Sequence, residues 1–307
     1  MNTNENHWEL YVYGNAGLSY VDLYPHFIFY HGDVEKADFN VRFSSKHVAC
    51  LDLAEKDRAA IRLKTLLRYI SGLRLMKNLE YIHPDSQLYY VTRDRIIQVE
   101  SSPEIGLEML LDELSNPFDT NSIDGFIPRD AKMEPNADLD FIQILIDEPL
   151  ARENILLFTL AYENNLNLLV NTYKIYENVK ADLQVQTNNG KVIIRGEIKY
   201  PQELIDSITQ IYKLAQFINS KTASGLLSRH GTGNTPAPDK LPTINEVVEH
   251  LRGLVYNWMN YRCSLRFGRN YILKERREEK ESLLTDEDFY KLEKLAENAK
   301  DKFGDRE

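Results

Sequence analysis

The sequence predicts an α+β protein: a strand-rich N-terminal domain with one or two helices, then a mainly helical C-terminal domain carrying a β-hairpin insertion. Three observations predict it. Short stretches rich in aromatic and β-branched residues crowd the first hundred positions. Further on, apolar residues recur at three and four. Asn189-Gly190, flanked by alternating residues, interrupts that helical pattern with the pair most favoured in two-residue hairpin turns.

"WELYVY" (8–13), "YPHFIFY" (24–30), "DFNVRF" (38–43), "HVACLDL" (47–53), "QLYYVT" (87–92) and "RIIQVE" (95–100) read as strands, several separated by turn formers such as Gly14-Asn15 and Gly32-Asp33. Between Leu53 and Asn78 the period changes. Leu63, Leu66, Leu67, Ile70 and Leu73 fall on one face of a helix expected to pack on the sheet. Ser102-Pro103-Glu104 reads as the start of a second helix ending near Leu114. Residues 115–140 lose periodicity and are rich in Asp, Asn and Pro, so they are expected to link a domain at 1–114 to a helical domain at 141–307.

In the second half, the run from Leu150 to Leu183 is helical with a break near Asn164-Asn165. Residues 183–198 form the hairpin insertion, and 201–219 are amphipathic through Leu204, Ile208, Ile211, Leu214 and Ile218. Thr243-Ile-Asn-Glu246 is a capping box, opening a helix that stacks Val247, Leu251, Leu254, Val255 and Trp258. A last charged helix is expected from about Thr285 to Gly304, after the mixed charge run "KERREEKES".

The chain has 307 residues, 43% hydrophobic and 27% charged, enough to bury a real core. Its net charge of -10 opposes diffuse attraction to nucleic acid or anionic membrane, so any RNA contact needs a local basic patch. Cys50 and Cys263, far apart in apolar surroundings, leave no basis for a disulfide framework or a thiolate metal site. The opening "MNTNENHWEL" lacks the basic and apolar regions of a secretory leader, and "FIQILI" (141–146) is far too short to span a membrane. A cytoplasmic protein without a membrane partner is expected. Walker, dinucleotide-turn and Gly-x-Ser-x-Gly patterns are missing, so no cofactor is expected. No metal is expected either: His26 and His31, five apart in strand-like sequence, would point to opposite faces. Trp8, Tyr11, Tyr13, Tyr20, Tyr24 and Tyr30 suit a packed sheet better than a base-stacking platform, because no lysine or arginine precedes His26.

The candidate site lies in "SGLLSRHGTGNTPAPDKLPTINE" (224–246). Arg229 and His230 are expected to leave a helix, with Gly231, Thr232 and Gly233 forming the turn. One reading is structural: basic residues and glycine suit a helix C-terminus. The other is functional. Arginine would neutralise developing charge, histidine would move a proton, and the Gly-Thr-Gly backbone would offer amides to an anion. Tyr173, Lys174, Tyr176 and Glu177 form a second cluster, read either as a packing stripe with a solvated lysine or as ligand-binding Tyr173 and Lys174. On the functional reading, Glu177, joined by Asp182, would orient Arg229 or exchange protons.

"NTYKIYENVKADL" (171–183), followed by "TASGLLSRHG" and a proline-spaced capped helix, resembles an uncharacterised bacterial protein family. In that family a Tyr-Lys-Ile-x-Glu helix precedes an Ala/Ser-Arg-His-Gly turn in the same order, and the resemblance covers roughly residues 150–262. More distantly, the arrangement is similar to HEPN domains and abortive-infection C-terminal modules, helical bundles of which many members cut RNA. Their signature places a histidine four to six residues after an arginine, whereas Arg229 and His230 are adjacent. The resemblance implies a setting in bacterial antiviral defence or stress response. Two functions follow as expectations. The first is a non-catalytic intracellular binding or regulatory protein with a protein partner or self-association. The second is a divergent, metal-independent ribonuclease using Arg229, His230 and Glu177, with RNA as its partner.

Overall fold

The computed structural model describes residues 6–13, 23–31, 41–100, 102, 106–188, 191–194, 197–230 and 235–272. The turns expected at Gly14-Asn15, Gly32-Asp33, Asn189-Gly190 and 231–234 lie outside these residues, as do the charge run and the last charged helix. The protein is α+β: an antiparallel sheet with few helices comes first, then a helical region with a β-hairpin.

The sheet contains β1 (His7–Tyr13), β2 (Ile28–His31), β3 (Val41–Ser44), β4 (His83–Val91) and β5 (Ile96–Val99), in the order β2-β3-β1-β4-β5. Every neighbouring pair is antiparallel. Because strand side chains alternate between faces, the register sets one apolar row across all five strands. Phe29 lies opposite Phe43, Phe43 opposite Leu10, Leu10 opposite Leu88 and Leu88 opposite Val99. All five are buried, in one core with Leu63, Leu66, Leu67, Ile70 and Leu73 of α1 (Lys56–Met76). Burying such a side chain contributes about 1.5–3 kcal/mol relative to leaving it exposed.

Helix α1 also contacts the helical region. At Gly72 an added Cβ would lie 2.5 Å from Thr159 Oγ1 and 2.7 Å from Ile155 Cγ2, so only glycine allows α4 (Pro149–Glu163) so close. Thr159 Oγ1 donates to the Arg68 carbonyl across this contact, at 3.0 Å. The chain up to Tyr271 accordingly forms one compact unit, and the boundary expected at 115–140 does not separate two domains. Its Asp and Asn residues are used differently from those of a solvated linker. Asp119 caps the turn Thr120–Ser122, and Asn136 caps α3 (Ala137–Asp147), while Phe118 and Ile123 are buried.

Two other expectations are corrected. "HVACLDL" is not a strand: it holds the end of the turn Lys46–Val48 and the start of a second turn, Leu53–Glu55. The Ser45 and Asp52 side chains accept from the His47 and Ala54 amides, and these local bonds compete with strand pairing. The helix expected from Ser102 starts later, as α2 (Leu107–Ser115). Ser102 instead donates its amide and hydroxyl to the Asp57 carboxylate, both at 2.6 Å.

The break near Asn164 is present. Asn164 ends α4 and caps α5 (Asn165–Asp182) through the Leu166 amide. The hairpin follows as β6 (Val185–Asn188) and β7 (Lys191–Ile194), then α6 (Gln202–Asn219), the four-residue α7 (Lys221–Ser224) and α8 (Ile244–Phe267). Thr243 and Glu246 form the capping box at the start of α8. Val247, Leu251, Leu254, Val255 and Trp258 are buried as the period requires.

Two buried carboxylates, Glu113 and Asp140, are paired. Arg62 of α1 grips Glu113 of α2 through two bonds of 2.6 and 2.9 Å. Asp140, fully buried, accepts from Arg129 (2.7 Å), Arg269 (2.7 Å) and the Tyr271 hydroxyl (2.6 Å). Burial pushes its carboxyl up, but these donors outweigh that and hold it below the ordinary carboxylate range. Among the described residues no helix is long and apolar enough to cross a membrane.

Candidate functional site

The structure joins part of the two clusters singled out in the sequence. Arg229 and His230 do not leave an α-helix. They follow α7, a single 3-10 turn at Gly225–Leu227 and then Ser228. Gly225 takes φ = +57°, a conformation open to glycine, and redirects the chain there. The Arg229 amide then donates to the Ile218 carbonyl in the last turn of α6, at 3.0 Å. The helix-terminus role expected of the basic pair is thus filled by the Arg229 backbone, capping α6.

The Arg229 side chain goes elsewhere. Its guanidinium carbon sits 3.9 Å from the centroid of the Tyr173 ring. Tyr173 meets Tyr176 edge to face at 5.7 Å, and Lys180 lies over Tyr176 at 4.6 Å. A row of cation, ring, ring and cation therefore runs along α5. Tyr176 is buried and its hydroxyl shares a 2.9 Å hydrogen bond with Thr187 of β6, tying the hairpin to the helix. Burial pushes that phenol up to about 12, so it remains protonated.

Three parts of the catalytic arrangement do not converge. Glu177 pairs with Lys180 at 3.2 Å, and no ion pair joins it to Arg229. Asp182 accepts from Trp258 Nε1 (2.8 Å) and Arg262 (3.2 Å), a structural knot between α5 and α8. His230 is exposed, and among the described residues only its backbone amide is held, by Ser228 Oγ at 3.3 Å. Lys174 is exposed on α5, and Gly231, Thr232 and Gly233 lie outside the described residues.

A second arrangement was not foreseen from the sequence. His26 lies in the turn before β2, not in a strand, and its partner is His47. His26 Nδ1 and His47 Nε2 are 2.9 Å apart, and His47 Nδ1 is 3.0 Å from the Asp119 carbonyl oxygen. The ring centroids are 5.2 Å apart with planes 20° from parallel. That separation is the N···N distance plus about two ring radii, so the rings meet edge to edge in a hydrogen bond. Phe118 closes one side of His47 and Phe126 one side of His26.

Electrostatics fix the proton positions. His26 is 7% exposed and His47 is fully buried. Burial first, and then the neighbouring His47, push His26 from the ordinary 6.5 down to about 3. For His47, burial outweighs the pull of the Asp119 carbonyl and carboxylate, giving about 4. Both rings are neutral near pH 7. A carbonyl can only accept, so His47 Nδ1 carries the hydrogen and its Nε2 is the acceptor. His26 must then donate from Nδ1. Its Nε2 is left as a lone pair.

The surrounding turn is held by Asp119. Its carboxylate accepts from Ser122 Oγ (2.7 Å) and Cys50 Sγ (3.3 Å). Cys50 is exposed beside it rather than packed in apolar surroundings, while Cys263 is buried and its thiol is pushed up to about 12 by burial. A cleft of about 420 Å³ opens here between the His26 turn, the turn at Lys46 and residues 122–133. Among the described residues no three His, Cys, Asp or Glu side chains gather to hold a metal ion.

No family model matches the chain, and neither the curated proteins nor the solved structures contain a match to it.

Proposed function

We propose that the protein is a non-catalytic binding protein whose α5 face, centred on Arg229 and Tyr173, receives a carboxylate of a protein partner. One observation carries the reading. Arg229 is exposed and stacked on Tyr173, and no described group accepts a hydrogen bond from its guanidinium. A stacked guanidinium keeps its edge donors in a fixed fork, which suits bidentate recognition of a carboxylate at low entropic cost. Lys174, exposed on the same helix, adds positive charge. Among the described residues no carboxylate orients His230, which supports binding over catalysis, because a general acid–base histidine needs a partner that sets its tautomer. The bacterial family resemblance suggests a defence or stress setting for that partner.

The test uses a fluorescent oligoglutamate peptide and a single-stranded RNA with the purified protein in EDTA. The expected outcome is peptide binding that falls about ten- to a hundredfold in Arg229→Ala, as loss of a charged hydrogen-bonded pair costs about 1.5–3 kcal/mol. RNA should remain intact at high protein excess. RNA cleavage that disappears in His230→Gln would replace this reading with the metal-independent ribonuclease.

A further inference from the structure

We infer that the cleft beside His26 is a small-molecule site, in which His26 Nε2 accepts a hydrogen bond from the O–H or N–H of a flat, uncharged aromatic ligand. The inference is independent of the Arg229 face.

The polar anchor comes first. His26 is more than nine-tenths buried, lines the cleft, and is oriented from behind by His47 and the Asp119 carbonyl. Among the described residues no group is bonded to its Nε2, and that atom is not a buried polar atom sealed without a partner. It is therefore a lone pair open to the cleft, on a ring that the relay prevents from flipping. Flipping would put a carbon opposite His47 Nε2 and break a buried hydrogen bond.

The ligand class follows from the lining. An acceptor with its tautomer fixed requires a donor, so a bare carboxylate or ether oxygen is a poor partner. Lys46, Arg129 and Asp124 also line the cleft, and Arg129 is paired with Asp140, so the lining favours neither a cationic nor an anionic donor. Phe126 meets His26 edge to face at 5.8 Å, and Ile123, Met133 and Leu139 supply apolar surface. An aromatic ring offers its area to these side chains while one edge carries the donor. A volume of about 420 Å³ falls among ordinary ligand pockets.

The experiment compares three probes on the wild-type protein labelled with ¹⁵N-histidine: phenol, its O-methyl ether anisole, and benzylammonium. Two-bond ¹H–¹⁵N spectra should first give His26 as the Nδ1–H tautomer. Phenol should then move the His26 Nε2 resonance upfield and saturate. Anisole should bind about tenfold more weakly, since it leaves the buried acceptor unpaired. Benzylammonium should also be weaker than phenol. Equal affinity for phenol and anisole would overturn the acceptor role, and tighter binding of benzylammonium would overturn the ligand class. No response of His26 to any probe up to its solubility limit would remove the site. Because the comparison uses one folded protein, it does not depend on a His26 variant being stable.

Discussion

The Arg229 face and the His26 corner differ in how each keeps its chemistry. Arg229 lies exposed over the half-buried Tyr173 ring, and a guanidinium is an anion receptor wherever it is exposed. His26 and His47 are neutral because they are buried, and each ring's donor and acceptor are set by the next group in line. The first site's character belongs to its residues. The second belongs to an arrangement of segments 21 and 72 residues apart. Surface chemistry can therefore be read from residue types, whereas a buried histidine has no definite chemistry until its neighbours are known.

Removing the middle of the relay should give the largest effect. His47→Ala leaves a cavity, an unpaired Asp119 carbonyl and an unpaired His26 Nδ1–H, and is expected to cost about 3 kcal/mol or more in urea unfolding. A loss below about 1 kcal/mol would mean that water replaces the ring, and the corner would no longer contrast with the Arg229 face.

The relay also has a pH signature. Both folded-state histidine values lie below the ordinary 6.5, so the unfolded chain takes up more protons than the folded one. Stability is fully present above about pH 6.5 and falls as pH drops towards about 4, with a slope approaching two protons. Below that, Asp119 and Asp140, whose carboxyls are held under their ordinary range, add their own loss on protonation. Urea midpoints between pH 7 and 4.5 isolate the histidines. A flat profile would show that they titrate as exposed groups.

The Arg229 face should yield the smallest changes in stability. Arg229→Ala removes one exposed cation–π contact, worth about 0.5–1 kcal/mol, while His230→Gln should stay within about 0.5 kcal/mol of wild type. A larger loss in thermal or urea unfolding for His230→Gln would mean that the imidazole packs, which would narrow the difference between the two regions.

Much of the fold was legible in the sequence. Periodicity placed α1 and the core faces of α6 and α8, while Asn164 and the Thr243 capping box marked helix boundaries through chemistry local to a few residues. Local bonds also explain the failures. The run at 47–53 has strand composition, but Ser45 and Asp52 bind backbone amides before a ladder can. Residues 115–140 look solvated because they are rich in Asp and Asn, yet Phe118 anchors them on His47 and Tyr69. Of the candidate site, the Tyr173 and Arg229 clusters were both visible, and their stacking is a tertiary fact. The one available hint of the relay was a single histidine in each of two otherwise apolar runs, "YPHFIFY" and "HVACL". Such a histidine must find a partner when buried.

The knot at Asp140 bears on how the chain is made. Two of its three donors, Arg269 and Tyr271, lie 129 and 131 residues further on. During vectorial synthesis α3 is available long before those groups emerge, with Arg129 alone to neutralise a carboxylate that belongs inside the protein. Closing so long a loop carries the entropy of distant contacts, and that loss is recovered when residue 271 arrives. The contacts of Asp140 are therefore completed only after residue 271 has been made.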